Sequence, residues 1–285
     1  MSDPNIVRDL ELRFGERTYV MGIVNMTPDS FSGDGLLLSA SPTAAAVEQA
    51  ERMVAEGADI IDVGGESTRP GHAPVTPSEE LERVAAVVDG IRRRLPGVPI
   101  SIDTSKPPVA EAALAAGADI VNDVAGVSQG AALAPVAAAA DAPYIVMHNR
   151  PQPVYEDVVA EVIEDLREAL AAAEDQGCRP GSLIVDPGIG FGKTAEQNLA
   201  LLGDLTALAP LGRAVLLGTS RKSTIGLVLD LPADERLEGT LATTAIGVAT
   251  GVDIVRVHDV AANVRTVRMS DAIIRGGWTQ EQSRH

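Results

Sequence analysis

The sequence predicts a single α/β domain folded as a (β/α)8 barrel, and three observations carry that expectation. Eight apolar, β-branched runs each end in polar residues, segments with helical apolar spacing separate them, and a helix–Gly–strand unit recurs along the chain. The unit reads Ala55-Glu-Gly-Ala-Asp-Ile-Ile-Asp62, Ala115-Ala-Gly-Ala-Asp-Ile-Val-Asn122 and Ala249-Thr-Gly-Val-Asp-Ile-Val-Arg256. Each copy has a Gly suited to a left-handed helix end, then an Asp, then a β-branched run.

Taken in order, residues 6–13 and 18–20 flank a Gly15-Glu16 turn, which predicts an N-terminal hairpin capping the lower end of the barrel. Strands are expected at 19–25, 60–65, 99–103, 120–123, 144–148, 183–186, 214–220 and 254–258. Helices are expected at 41–57, 77–95, 107–117, 131–140, 155–177, 194–209, 237–250 and 260–275, with a short extra helix near 221–229. Strands this apolar are buried on both faces, as in a parallel sheet. An open doubly wound sheet is the alternative, but eight units overfill it and no G-x-G-x-x-G follows the first strand. No linker interrupts the pattern, so the expected organisation is one domain, with the hairpin in 1–19, the barrel in 20–275 and a flexible tail in 276–285.

Composition fits this and narrows the partners. A chain of 285 residues, 45% hydrophobic, can bury a large core, which excludes wholesale disorder. Forty acidic against twenty-three basic residues give a net charge of -17, which repels nucleic acid backbones and anionic lipid. The first twelve residues are charged, and no apolar run approaches the roughly 20 residues that span a bilayer. A soluble, cytoplasmic protein is expected. The one cysteine, Cys178, has no partner for an internal disulfide and reads as a spare small residue near a helix end.

Barrel chemistry gathers at the C-terminal strand ends. Here those ends carry Asn25, the run from Gly64 to Arg69, Asp103, Asn122-Asp123, Met147-His148, Asp186, Ser220-Arg221-Lys222 and Arg256-Val257-His258. Any one of them could be a helix N-cap, and Asp103 and Asp123 read easily that way. Caps do not account for polarity that begins inside a strand, as Asp103 does after Ile100-Ser101-Ile102 and Asp186 after Leu183-Ile184-Val185. Buried acids need donors, and a heterocycle with a guanidine-like edge of N–H groups suits them and Asn122. The cations Arg221, Lys222, Arg256 and His258 follow strands seven and eight, where barrels frequently bind phosphate. Arg256 and His258 alternate by two and so share a face.

Asp186-Pro-Gly-Ile-Gly-Phe-Gly-Lys193 resembles a nucleotide loop only superficially, since Pro187 replaces the first Gly of a P-loop. What remains is a close-approach loop presenting Phe191; with Phe31 it places two of the three phenylalanines on loops. Four histidines, scattered in sequence, suggest no zinc cluster. A hard ion such as Mg²⁺, held by Asn25, water and substrate phosphate, fits better.

Seven motifs in order then resemble the dihydropteroate synthase family of pterin-binding barrels. They are Met21-Gly-Ile-Val-Asn-Met-Thr-Pro-Asp-Ser-Phe-Ser32, Ile61-Asp-Val-Gly-Gly-Glu-Ser-Thr-Arg-Pro-Gly71, Ser101-Ile-Asp-Thr-Ser105, Val121-Asn-Asp123, the 186–193 run, Ser220-Arg-Lys-Ser223 and Arg256-Val-His-Asp259. The resemblance implies condensation of 7,8-dihydropterin-6-ylmethyl diphosphate with p-aminobenzoate, giving 7,8-dihydropteroate and pyrophosphate in folate synthesis. It implies that Asp103, Asn122, Asp186 and Lys222 hold the pterin, and that Asn25, Arg69, Arg256 and His258 hold the diphosphate, with Mg²⁺ at Asn25. Thr68, Phe191, Ser223 and Phe31 would shape the p-aminobenzoate pocket, and Asp103, Asp186, Lys222 and Arg256 would carry the catalysis. A homodimer formed through late barrel helices is implied as well.

Two departures stand out. The family's first loop usually reads Ser-Asp-Gly-Gly, whereas this chain has Ser32-Gly33-Asp34-Gly35. After His148 the loop Asn149-Arg150-Pro151-Gln152-Pro153 is short and stiffened by prolines. Two alternatives are a methyltetrahydrofolate-dependent methyltransferase, which has no diphosphate to bind, and a non-catalytic pterin-binding paralogue, which should have a degraded second loop. The intact Glu66-Ser67-Thr68-Arg69 and the basic groups above speak against both.

Overall fold

The structure, a computed structural model, describes residues 5–7, 10–26, 41–65 and 76–276. It begins with an antiparallel ribbon of β1 (Asn5–Val7) and β2 (Leu10–Leu12). Eight parallel strands follow: β3 (Tyr19–Asn25), β4 (Ile60–Gly64), β5 (Ile100–Thr104), β6 (Ile120–Asp123), β7 (Tyr144–Met147), β8 (Leu183–Asp186), β9 (Ala214–Leu217) and β10 (Ile254–Val257). They pair in chain order and β10 closes on β3, so the barrel expected from the sequence is the barrel observed. Around it run α1 (Pro42–Ala55), α2 (Pro77–Arg94), α3 (Pro107–Ala116), α4 (Ala134–Ala139), α5 (Val158–Asp175), α6 (Ala195–Gly203), α7 (Ser223–Leu229), α8 (Leu237–Ala249) and α9 (Val260–Ile274). No helix among the described residues is long and apolar enough to cross a membrane.

The repeated Gly-x-Asp has a structural cause. Gly57, Gly117 and Gly251 end helices at φ of +104°, +112° and +93°, a conformation natural to glycine. The Asp two residues on then makes a reciprocal pair with the strand before it. Asp59 N–H donates to Val20 O and accepts from Val20 N–H through Oδ2, both at 2.8 Å. Asp119 does the same with Ile100 at 2.7 and 2.9 Å, and Asp253 with Val215 at 2.9 and 3.0 Å. Three copies of one device thus fix strand starts at the bottom of the barrel.

The interior is layered. Met21, Ile60, Ile120, Ile145, Ile184, Leu216 and Ile254 form a buried floor together with Leu12 and Tyr19. Two residues further along, six of these seven lines of chain carry Asp62, Asn122, Met147, Asp186, Gly218 and Arg256 on the same inward face, and β3 carries Ile23. The register sets Asp62 beside Ser101, Gly64 beside Asp103 and Asp103 beside Asn122. An apolar floor under a polar upper layer is what puts the chemistry at one end.

The N-terminal expectation needs correction. The ribbon pairs within residues 5–12 and not across Gly15. Gly15 does turn, at φ +86°, with its N–H donating to Asp253 Oδ1 at 2.8 Å. The segment beyond it is already committed, because Tyr19 to Gly22 pair in parallel with Ile254 to Val257. The Tyr19 hydroxyl instead tethers the ribbon, accepting from Arg13 N–H at 2.6 Å and donating to Glu11 O at 3.1 Å.

Candidate active site

The upper layer is organised around one guanidinium. Arg256, inward on β10, donates from Nε to Asp62 Oδ2 at 2.7 Å and from a terminal nitrogen to Asp103 Oδ2 at 2.5 Å. Asp62 also accepts from Asn122 Nδ2 through Oδ1 at 3.4 Å, so one buried carboxylate links β4, β6 and β10. Burial opposes the charge on Arg256, but Asp62 and Asp103 together hold it above its ordinary value. Burial pushes the Asp103 carboxyl up to about 7, against the pull of Arg256. Asp103 is therefore no helix cap: the residue at the start of α3 is Lys106, which makes no capping bond. Thr104 Oγ1 and Lys106 Nζ turn instead to the buried Glu80, at 2.7 and 2.6 Å. Asp123 does act as a local anchor, accepting from Ala125 N–H at 3.1 Å and from the Tyr144 hydroxyl at 2.6 Å.

Asp186 forms the opposite wall. Its Oδ1 accepts from Gly188 N–H at 2.7 Å, and burial holds the carboxyl above the usual range despite Lys222 nearby. Lys222 donates to Ile189 O and places its ammonium 4.4 Å from the centroid of the Phe191 ring. Burial lowers Lys222 to about 8, with Asp186 pulling the other way. Phe191 is only half-buried, with Lys222 over its ring.

The remaining expected residues divide. His258 sits at the mouth with Nδ1 3.0 Å from Ser220 Oγ. Asn25 ends β3, and a Cβ added at Gly64 would come within 3.2 Å of its Oδ1, so the missing side chain keeps that oxygen accessible. No group of three or more His, Cys, Asp or Glu among the described residues could hold a metal ion. One neutral amide oxygen suits an ion that takes most of its ligands from a diphosphate and water. Arg221 pairs with Asp259 through two bonds, at 2.9 and 2.5 Å. Ser223 is exposed at the first turn of α7. Phe31, Asp34, Thr68 and Arg69 lie outside the described residues.

Two further sets of residues surround the site. Asp62 was legible, since it follows Ile60 by two and shares its inward face, as Asp186 does with Ile184. The second set lies behind the 186–193 turn. Lys193 Nζ is 2.8 Å from His148 Nδ1, and His148 Nε2 is 3.0 Å from Asp165 Oδ2. Arg150 grips Asp165 at 2.7 and 2.9 Å and Glu161 at 2.7 Å, and lies 4.7 Å from the centroid of the Tyr155 ring. The short loop after His148 thus packs on the 186–193 turn.

Comparison with known proteins agrees with this geometry. The family model described as pterin binding enzyme matches residues 21–258. The chain is 48% identical over 266 residues to a dihydropteroate synthase of Clostridium beijerinckii, covering 93% of this chain and 97% of the relative. A dihydropteroate synthase structure from Clostridium difficile, solved in the presence of pteroic acid, superposes with a TM-score of 0.87 at 47% identity, over 92% of this chain and 98% of that one. A Xanthomonas albilineans dihydropteroate synthase with 4-aminobenzoic acid superposes with a TM-score of 0.85 at 41% identity, over 91% and 94% of the two chains. The chain belongs to the pterin-binding enzyme family and, within it, to the dihydropteroate synthases, transferases of folate biosynthesis.

Proposed function

We propose that the polar upper layer divides between the two substrates, and that the enzyme there joins 7,8-dihydropterin-6-ylmethyl diphosphate to p-aminobenzoate. The observation that carries this is the convergence of Asp103, Asn122, Asp186 and Arg256 on the inward face, with Lys222 reaching in from the start of α7 to meet Asp186 and Arg256 about Gly218, and with Phe191 beside it. Asp103, Asn122 and Asp186 supply the acceptors and amide that a pterin edge requires, with Lys222 beside them. Arg256, His258 and Asn25 face the diphosphate, joined by Arg69 from the second loop. Phe191, Phe31, Thr68 and Ser223 border the arene.

The aniline nitrogen attacks the exocyclic methylene carbon as its C–O bond breaks, and pyrophosphate leaves with the bonding pair. Positive charge delocalised into the pterin is stabilised by Asp186, whose position is fixed beforehand by Gly188 N–H. Arg256 is oriented by Asp62 and Asp103 before substrate arrives, so its charge meets the leaving group without reorganisation. An aniline is already unprotonated at neutral pH, and the proton it sheds passes to solvent without a strong base. Mg²⁺ bound at Asn25 and the diphosphate would supply Lewis-acid neutralisation of the leaving group. A methyltransferase would have no diphosphate for these basic groups to meet.

The chain works, on this reading, as one cytoplasmic barrel domain with its N-terminal ribbon covering the floor. It pairs as a homodimer through the apolar side chains exposed on α7, α8 and α9, among them Leu227, Ile246 and Ile273. The direct test of activity is incubation with the pterin diphosphate, p-aminobenzoate and Mg²⁺, measuring pyrophosphate and dihydropteroate. No product at high enzyme concentration refutes the reaction.

A further inference from the structure

We propose that Lys193 is a positioning residue for the p-aminobenzoate half of the site, fixing from behind the turn that carries Phe191. The inference rests on the reading that Phe191 borders the arene.

Burial lowers Lys193 to about 7, with Asp186 pulling the other way; in its protonated form the ammonium has three protons for three acceptors. They are His148 Nδ1 at 2.8 Å, Gly188 O at 3.0 Å and Phe191 O at 3.1 Å. The two carbonyls bracket a turn that Phe191 N–H closes on Gly188 O at 3.1 Å and that Asn198 Oδ1 holds at Gly190 N–H at 2.8 Å, so the lysine ties both ends of it from behind. His148 can accept at Nδ1 only as a neutral ring with its proton on Nε2, which faces Asp165 Oδ2 at 3.0 Å. Burial, with the charge of Lys193, lowers His148 to about 4 and so keeps it in that form at neutral pH. Asp165 is in turn held by the fork of Arg150. A continuous chain of bonds therefore runs from Arg150 on the outer loop to the carbonyl of Phe191.

The turn needs such a clamp. Gly188, Gly190 and Gly192 adopt φ of +66°, +85° and +56°, and a glycine segment has much conformational freedom to lose. At Gly188 and Gly192 a Cβ would fall 1.8 Å from His148 O and 2.0 Å from Arg150 O, so side-chain packing cannot supply the rigidity. The clamp comes from neighbours instead: Lys193 on two carbonyls, and the Tyr155 hydroxyl on Gly192 O at 2.9 Å. Lys222 touches the other side, at Ile189 O and the Phe191 ring. The two lysines have different work, because Lys222 lies over the Phe191 ring whereas Lys193 bonds two carbonyls of the turn and the His148 ring behind it.

The test compares Lys193→Met, Tyr155→Phe and Phe191→Ala with the parent enzyme. The measurements are KM for each substrate, kcat, calorimetric affinity for a phosphate-free pterin, and thermal unfolding. Lys193→Met is expected to raise KM for p-aminobenzoate about tenfold or more while pterin affinity stays within about threefold, a split that a general loss of structure does not produce. Tyr155→Phe should give the same selective change at about threefold, since one neutral bond is lost. An unchanged KM for p-aminobenzoate in Lys193→Met, or equal losses for both substrates, overturns the proposal. If Lys193→Met does not fold, Tyr155→Phe decides by the same criterion. Phe191→Ala separates the two layers of inference. If it leaves KM for p-aminobenzoate unchanged, the placement of the arene fails and the proposal with it. If it raises that KM and Lys193→Met does not, the proposal alone fails.

Discussion

Arg256 Nε lies 2.7 Å from Asp62 Oδ2, which ties the cation proposed to face the leaving group to a carboxylate sealed within the barrel. Asp62 is fully buried and also holds Asn122, so it stands under both halves of the proposed pterin diphosphate site. A buried guanidinium without such partners would be costly and free to turn. Asp62 acts on substrate only through the groups it aims.

Asp62→Asn is therefore expected to weaken pterin and pyrophosphate together. The neutral amide keeps the volume but loses the charge that orients Arg256, and breaking a buried pair commonly costs about 3–5 kcal/mol. Calorimetry with each ligand and urea unfolding measure the two effects. Loss of affinity for only one ligand, with stability unchanged, would show that Asp62 does not hold both.

Binding of a phosphate-free pterin should follow a narrow bell in pH. Asp103 must be ionised to accept hydrogen bonds, and burial has moved it up to about 7, so affinity falls as pH drops below that value. Lys222 must be protonated to keep its charge beside Asp186 and over Phe191. Burial has moved it down to about 8, so affinity falls again above that value. Calorimetry from pH 5.5 to 9.5 locates both limbs, with that range set about 1.5 units beyond each of the two values. Flat affinity across it contradicts these assignments, and Lys222→Met should remove the alkaline limb and move the acid limb to higher pH, because the charge of Lys222 helps to lower Asp103.

The barrel is legible in the sequence because its signals are local. Each strand is a short β-branched run, and the helix ends at Gly57, Gly117 and Gly251 announce themselves by residue type. The work of the following Asp is not local, since Asp253 answers the backbone of Val215 and Gly15. The N-terminal ribbon misleads for a related reason: Gly15 is a true turn, but the residues after it pair with β10 from the far end of the chain. At the site, Asp103, Asn122 and Asp186 show themselves by breaking apolar strands. Lys193 gives no such sign, because its partner His148 is 45 residues away and its acceptors are carbonyls.

If the chain pairs as proposed, Ile273→Glu should give a monomer where the parent is a dimer. Leu227, Ile246, Met269 and Ile273 are 72%, 50%, 63% and 67% exposed, an unusual outlay of apolar surface on three neighbouring helices. A carboxylate buried there without a partner would be strongly unfavourable. Analytical ultracentrifugation of both proteins decides the point, and a monomeric parent at micromolar concentration refutes the dimer.

The net charge of -17 sets the last expectation. Both substrates are anions, so the field of the whole surface repels them and cannot steer them in. The attraction must come from cations at the mouth, and Arg256 is only 18% exposed and already fixed by Asp62 and Asp103. Buried pairs are screened much less than surface charges, so raising salt from about 50 to 500 mM should change KM for the pterin diphosphate by less than about threefold. Any change in the on-rate should be an increase, because salt screens the surface repulsion before it reaches the site. Stopped-flow binding across that salt range separates the two. A steep fall in on-rate would mean that attraction at long range outweighs the acidic surface, and would move the recruiting charge away from Arg256 and out to the exposed loops.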